Sequence, residues 1–402
     1  MIIFVSMNTP KTNRYIALDV LRGMTVAGMI LVNNPGSWGK IFPPLRHAPW
    51  DGCTPTDLVF PFFLFCVGAA LAFSFAKYNN ALNGESVKKI VKRGILIFLV
   101  GLGLNAFPFY PTSLNSDLTF GENYMNYLNN IRILGVLQRI ALCYIAGGIL
   151  ALWLKTPKKI LWAMGILLTL HWLILLIFGG EGWSTLKGNI AAPIDVAIFG
   201  KSHVYKGYGI PFDPEGLYGV ISGSCTLLLG YLIGQLIRKT PEKIDVVAKL
   251  YTIGLIALGA GIVTSIWIPI NKPLWSASYV LYAGGWAIVM LALFIYFIDV
   301  KGKEKIFTPF RAMGMNPLFA FVMAGIFSKV FSRIIKWTVL VPNAEGVMRQ
   351  KTVNASSWFY NNVCVSLLGN NEFASLMYAL IYVAIFMAMA YWLYRKNIVI
   401  KL

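Results

Sequence analysis

Residues 56–76 read TDLVFPFFLFCVGAALAFSFA. One charged residue, Asp57, stands near the start, and twenty uncharged, mostly apolar residues surround or follow it. A run of this length can cross the hydrocarbon core of a bilayer, and only a helix satisfies its own backbone there. The pattern recurs along the chain and predicts ten helices, at 15–34, 56–76, 91–107, 132–154, 159–178, 215–237, 249–268, 275–298, 311–331 and 373–394. The fold class is therefore an all-α polytopic membrane protein. The 402 residues are 57% hydrophobic and only 13% charged, against roughly a quarter charged in soluble domains. No stretch reads as a separate soluble domain, so residues 1–402 are taken as one transmembrane unit without internal repeats.

A net charge of +19 would suit a nucleic-acid partner, but its distribution argues against one. Of the 35 Lys and Arg, 21 fall in short alternate segments: Lys11 and Arg14; Lys77, Lys88, Lys89, Lys92 and Arg93; Lys155, Lys158 and Lys159; Arg238, Lys239, Lys243 and Lys249; Lys301, Lys303, Lys305 and Arg311; Arg395, Lys396 and Lys401. Cytoplasmic loops carry this excess, which predicts that both termini are cytoplasmic. The long connections 35–55, 179–214 and 332–372 then share the outer face, where a site is expected. The start MIIFVSMNTPKTNR lacks the cleavage pattern of a signal peptide, and Met1 and Met7 are both candidate starts. The five cysteines show no CxxC spacing and the three histidines do not cluster, so no metal site is expected.

Polar residues inside apolar spans mark cavities or partners. Asp19 and Arg22 are three apart on the first helix, close enough to pair, and read best as a structural lock. Asn33 and Asn34 end that helix. Asp57 suits the positive end of the second helix and equally suits service to a neighbouring histidine. Arg132, Gln138 and Arg139 open the fourth helix, with the two arginines seven apart on one face and in need of anionic partners. Asp213 and Glu215 start the sixth helix, and Asn271, Lys272 and Asn316 add polar groups farther on. A shared internal cavity would satisfy this set.

His171 lies mid-helix and His203 in a polar loop, and both read as structural. His47 differs by its neighbours Trp50, Asp51 and Asp57 and by Asn33 upstream. An imidazole titrates near neutrality, so it can take a proton from an amine or hydroxyl, or accept an acyl group itself. A carboxylate would hold its tautomer, and an amide could steady an oxyanion.

LDVLRG, VNN, RHAPWDGCTPTDLVFPFFLF, RILGVLQRIALCY, PFDPEGLYG, NKPLWSASYV and GMNPLFAFV follow one another between about residues 14 and 325. In this order they resemble the heparan-α-glucosaminide N-acetyltransferase family, in a compact bacterial-type form without the extra luminal region and first helix of the lysosomal members. The resemblance implies transfer of acetyl from cytosolic acetyl-CoA, the co-substrate, to the amine of a terminal glucosamine across a membrane, with a homodimer as the assembly. It matches the family's catalytic histidine to His47 and its asparagine to Asn33. The chain departs from the family at Asp51, where asparagine is common. The expected site therefore has His47, Asn33 and Asp57 as catalytic groups. Trp50, Asp51, Asp213, Glu215, Asn271 and Asn316 would line the acceptor pocket, and Arg132, Gln138 and Arg139 would hold CoA. The setting implied is a bacterial inner membrane. An O-acyltransferase of a cell-envelope glycan and an amino-sugar transporter remain open as alternatives.

Overall fold

The structure, a computed structural model, describes residues 3–6, 15–76, 81–342 and 348–401. The candidate start Met7 and the basic Lys11, Arg14 and Lys77 lie outside the described residues. Among those described, nine helices are long and apolar enough to cross a membrane. They are α1 (Ile16–Asn33), α2 (Pro55–Ala76), α5 (Val136–Leu154), α6 (Pro157–Phe178), α8 (Val220–Lys239), α9 (Lys243–Thr264), α10 (Ala277–Phe294, continued by a π-helical turn to Val300), α12 (Pro317–Lys329, continued likewise to Ile334) and α15 (Glu372–Arg395). Helix α3 (Gly84–Ala106) is as long. Its first turns carry Glu85, Lys88, Lys89, Lys92 and Arg93 and start under a reciprocal Asn83–Ser86 cap, seven residues before the apolar run begins. Short helices α4 (Phe120–Leu128), α7 (Ala191–Phe199), α11 (Thr308–Met315), α13 (Ala355–Phe359) and α14 (Ser366–Leu368) occupy the connections.

Two expected helices are corrected. The 132–154 helix begins only at Val136, because residues 131–135 form no regular secondary structure. Their carbonyls are taken elsewhere: the Asn105 amide donates to Arg132 O and Leu134 O, and the Gln138 amide to Ile133 O. Arg132 and Arg139 therefore do not share a helical face. The 311–331 helix breaks at Asn316 into α11 and α12, since Pro317 has no N–H to continue the ladder.

Strands β1 (Ile3–Ser6) and β4 (Ile398–Lys401) pair antiparallel, Ile3 opposite Lys401, so both ends of the chain meet at one end of the bundle. Asn316 belongs to that end: its side chain donates to Ile398 O and accepts from Ile400 N. The hairpin of β2 (Lys336–Pro342) and β3 (Met348–Asn354) follows α12.

Close helix contacts rest on small residues, as is common in membranes. Helices α1 and α11 touch backbone to backbone at Gly23 and Gly314. A Cβ on Gly23 would sit 1.8 Å from Phe310 O, and one on Gly314 1.8 Å from Asp19 O. Arg22 completes this contact, donating from Nε to Gly314 O at 2.7 Å and from Nη2 to Asp19 Oδ1 at 2.7 Å. The Asp19–Arg22 pair thus locks α1 to α11, near the chain ends. Helix α1 runs from there about 27 Å, by its 18 residues at 1.5 Å each, before the chain turns toward His47.

The contact makes a prediction. Gly23→Ala has no room and should cost about 3 kcal/mol, lowering the heat-denaturation midpoint of the solubilised protein. Gly103→Ala, with nothing within 4 Å of its added carbon, should leave the midpoint unchanged or slightly raised. Equal midpoints for the two variants would contradict this packing.

Candidate functional site

The loop between α1 and α2 is folded around one carboxylate. Asp57 lies in the first turn of α2 and is 1% exposed. Its Oδ2 accepts from Ala48 N (3.0 Å), Thr54 N (3.1 Å) and Thr54 Oγ1 (3.0 Å), tying the loop to the helix start. Its Oδ1 stands 2.6 Å from His47 Nδ1. The two roles weighed for Asp57, cap and partner of the histidine, are both filled, one by each oxygen. A proton must lie between Oδ1 and Nδ1 at this distance, so Nε2 is the ring nitrogen turned away from the carboxylate. Nε2 has no hydrogen-bond partner among the described residues, and the His47 side chain is 47% exposed.

A second segment clamps this loop from α10. Gly52 N donates to Ile270 O (2.7 Å), at a φ of +102° that favours glycine. Fully buried Asn271 donates to Trp50 O (3.2 Å) and Asp51 Oδ1 (3.0 Å) and accepts from Leu274 N. Tyr279 donates its hydroxyl to Asp57 O at 2.6 Å. Lys272 Nζ lies 3.2 Å from Asp57 Oδ1 and 3.1 Å from His47 Nδ1. Asn271 and Asp51 thus shape the loop by bonding to each other. Lys272, which the sequence offered only as one more polar group, is the cation that reaches the histidine. Its signal was its place beside Asn271 in NKPLWSASYV. Burial pushes the nearby Cys53 thiol up to about 12, Asp57 adding to this and Lys272 opposing it.

Beside this pair stands an aromatic wall. Trp50 donates to Ser184 O (2.6 Å) and meets Tyr208 and Phe212 with ring centroids 5.9 and 5.4 Å away. Behind the wall, Arg132 takes both oxygens of Asp213 (2.6 and 2.9 Å) and also Glu215, under the ring of Tyr205. Burial weakens the guanidinium's hold on its proton, but Glu215 and Asp213 outweigh it and push the group further up. Arg139, 1% exposed, donates to Pro214 O and Gly216 O. Both arginines are therefore committed to the 213–216 loop, and Gln138 to residue 133, so none of the three is arranged to hold phosphates. Asp213 is likewise committed to Arg132.

Asp195, on α7, accepts from Leu217 N at 2.8 Å and fixes the far side of the same loop. It is fully buried and its Oδ2 has no partner among the described residues. Asn33 ends α1 on the His47 side of the bundle, exposed, with no hydrogen bond to His47 among the described residues. Asn316 is at the opposite end, held by β4, and is removed from this site. His203 bonds Ile131 O and His171 stacks on Tyr218 at 4.6 Å, both within the scaffold. At the end of the bundle near the chain termini, a cavity of about 460 Å³ is lined by Tyr15, Phe73, Arg238, Thr240, Lys243 and Asp299, among others.

A helical membrane bundle that presents a carboxylate-held imidazole at one end defines a polytopic membrane protein with a polar centre at the mouth of its bundle. The family model described as heparan-alpha-glucosaminide N-acetyltransferase, catalytic, matches residues 14–193. The heparan-alpha-glucosaminide N-acetyltransferases of Mus musculus and Homo sapiens are 26% and 27% identical over 368 aligned residues, covering 78% of this chain and 53% of each relative. The chain is thus similar to this family over that region, and it spans about half the length of these two relatives.

Asp195 generates a pH prediction. Burial, with Asp213 nearby, raises its carboxyl from 3.8 to about 6, against the opposing Leu217 N–H and the two arginines. The unfolded chain then gives up this proton first as pH rises. The contribution is full below about pH 4, falls between pH 4 and 6, and is gone above. The fall is about 3 kcal/mol for two pH units. Denaturation midpoints at pH 4.5 and 7 should differ less in Asp195→Asn than in the wild type; an unchanged difference would contradict the burial argument.

Proposed function

We propose that the chain transfers acetyl from acetyl-CoA, taken from the cytoplasmic side, to the amine of a glucosamine-type sugar on the opposite face of a bacterial inner membrane. The observation that carries this reading is the His47–Asp57 pair: one ring nitrogen held at 2.6 Å by a buried carboxylate, the other bare toward solvent. The similarity to the family and the basic short loops support it. His47 Nε2 is the base that takes the proton of the attacking amine, or the nucleophile that carries acetyl briefly. In the second case the thioester C–S bond breaks as the N–C bond forms, and the thiolate leaves to be protonated from water. Asn33 is assigned to the acyl oxygen, and Trp50 with Tyr208 to a face of the sugar ring. Glu215, partly shared with Arg132, is the carboxylate left to meet the sugar's ammonium or hydroxyls.

The donor's phosphates are assigned to Arg238 and Lys243 rather than to Arg132 and Arg139. The two former residues line an open cavity beside a pair of aromatic rings, Tyr15 and Phe73 at 5.9 Å, on the side of the chain termini. Sixteen helical residues, about 24 Å, separate Phe73 from Asp57 along α2, so the pantetheine arm has to run between helices. Arg238→Ala with Lys243→Ala should raise KM for acetyl-CoA at least tenfold with kcat little changed; an unaltered KM would remove this assignment.

The decisive assay uses sealed vesicles of known orientation with labelled acetyl-CoA and a panel of amino sugars and hydroxyl sugars. Label should reach an amino sugar only when acetyl-CoA is on the side of the termini and the sugar on the side of His47. His47→Ala should lose 10²-fold or more of the rate, the scale of general acid–base catalysis. Transfer to hydroxyls alone would favour the O-acyltransferase. Sugar uptake that survives His47→Ala, without acetylation, would favour the transporter. Labelled protein recovered without acceptor would establish the acetyl-histidine route.

A further inference from the structure

We propose that Lys272 is a positioning residue whose ammonium cancels the charge of Asp57 as His47 feels it, keeping the bare nitrogen of His47 unprotonated and reactive near neutral pH. The inference rests on the reading of His47 as a base or acyl acceptor and explains how a histidine bonded to a buried carboxylate can serve as either. A carboxylate 2.6 Å from an imidazole favours the doubly protonated ring, which has no lone pair to offer. An aspartate acting alone would therefore hold His47 in the state least useful for attack.

The opposing charge is supplied at matching range. Lys272 Nζ is 3.1 Å from His47 Nδ1 and 3.2 Å from Asp57 Oδ1. At Nδ1 the carboxylate oxygen stands at 2.6 Å and the ammonium at 3.1 Å, so in any uniform dielectric the positive charge offsets most of the negative one. Lys272 is not able to replace Asp57 as the partner of Nδ1, because an ammonium has no lone pair to receive the Nδ1 proton. Its hydrogen bond goes to Asp57 Oδ1, and toward the ring it acts only as a charge. The Lys272 side chain is 17% exposed and Asp57 2%, so water screens the Lys272–Asp57 pair weakly.

Other groups facing the trio do not alter this balance. Asp51 is bonded to Asn271, the Thr54 hydroxyl is shared between Arg46 O and Asp57 Oδ2, the Ala48 amide is spent on Asp57 Oδ2, and the Tyr279 hydroxyl is spent on Asp57 O. Burial, with Glu215 and Tyr205 beside it, keeps the Tyr208 phenol protonated, and the Cys53 thiol is held protonated in the same way. Arg46 turns away to Ile41 O. Lys272 is also anchored by its chain neighbours: Asn271 pairs with Asp51 as an isolated antiparallel bridge, which sets the lysine over the loop.

The test reads His47 directly and does not need acetyl transfer. Full-length protein in detergent is treated with diethyl pyrocarbonate, which reacts with imidazole only in its unprotonated form, and His47 labelling is quantified against a denatured standard by mass spectrometry that resolves the modified residue. At pH 6 the initial rate for His47 should fall about tenfold in Lys272→Met, the change that one pH unit of displaced titration produces. Lys272→Arg should keep the wild-type rate. Asp57→Asn with Lys272→Met should restore it, since both charges are then gone. The acid limb of kcat/KM should move upward in Lys272→Met and stay in place in Lys272→Arg. Equal labelling of Lys272→Met and wild type, or equal loss in Lys272→Met and Lys272→Arg, would overturn the proposal. A protein that transfers no acetyl but shows the labelling pattern would overturn the proposed function and leave this inference standing.

Discussion

The His47 end of the structure depends on one buried carboxylate. Asp57 cannot sit in the first turn of a membrane helix as a bare charge; at 1% exposure every lone pair needs a donor. Ala48 and Thr54 supply three, all to one oxygen, and this forces residues 46–54 to wrap back over the helix start. The second oxygen is then left for His47 and Lys272. Loop shape and imidazole orientation are consequences of the same requirement, so the imidazole is placed by the residue that caps the helix.

The arginines follow the same logic with a different outcome. Arg132, partly buried, and Arg139, fully buried, are both turned into the 213–216 loop. Arg132 is neutralised by Asp213 and Glu215, and Arg139 is turned onto loop carbonyls under Gly219. Removing one member of such a set leaves a buried charge unpaired, which generally costs several kcal/mol. They hold the 205–219 segment, and with it Tyr208 and Phe212, against Trp50. A positive charge in a sequence motif thus signals a scaffold as readily as a binding site, and only the identity of the nearest anion separates the two.

Much of the bundle was legible in the chain. The runs that became α2, α6 and α15 are uniformly apolar over about 20 residues, and little else can be made of such a segment. Breaks were less legible. The irregular stretch before Val136 exists because Asn105 and Gln138 occupy its carbonyls, and Asn105 is 27 residues away from Arg132. The interruption at Asn316 had a local cue in Pro317, but its purpose, receiving β4, lies 82 residues downstream. Of the site, His47, Asp57 and Trp50 were visible together because they fall within eleven residues. Lys272 was not, since it is 225 residues from His47.

By itself the sequence determined the fold class, most of the spans and the pairing of His47 with Asp57, because apolar run length and the nearness of His47 to Asp57 are local properties. The tertiary structure decided which charges answer which. Asn316 went to the chain ends, Arg132 to Asp213, and Lys272 to His47, each pairing set by helix packing through contacts such as Gly23–Gly314. The physical reason is that a buried charge is neutralised by whatever opposite charge the fold brings within about 3 Å, and order along the chain carries no record of that distance.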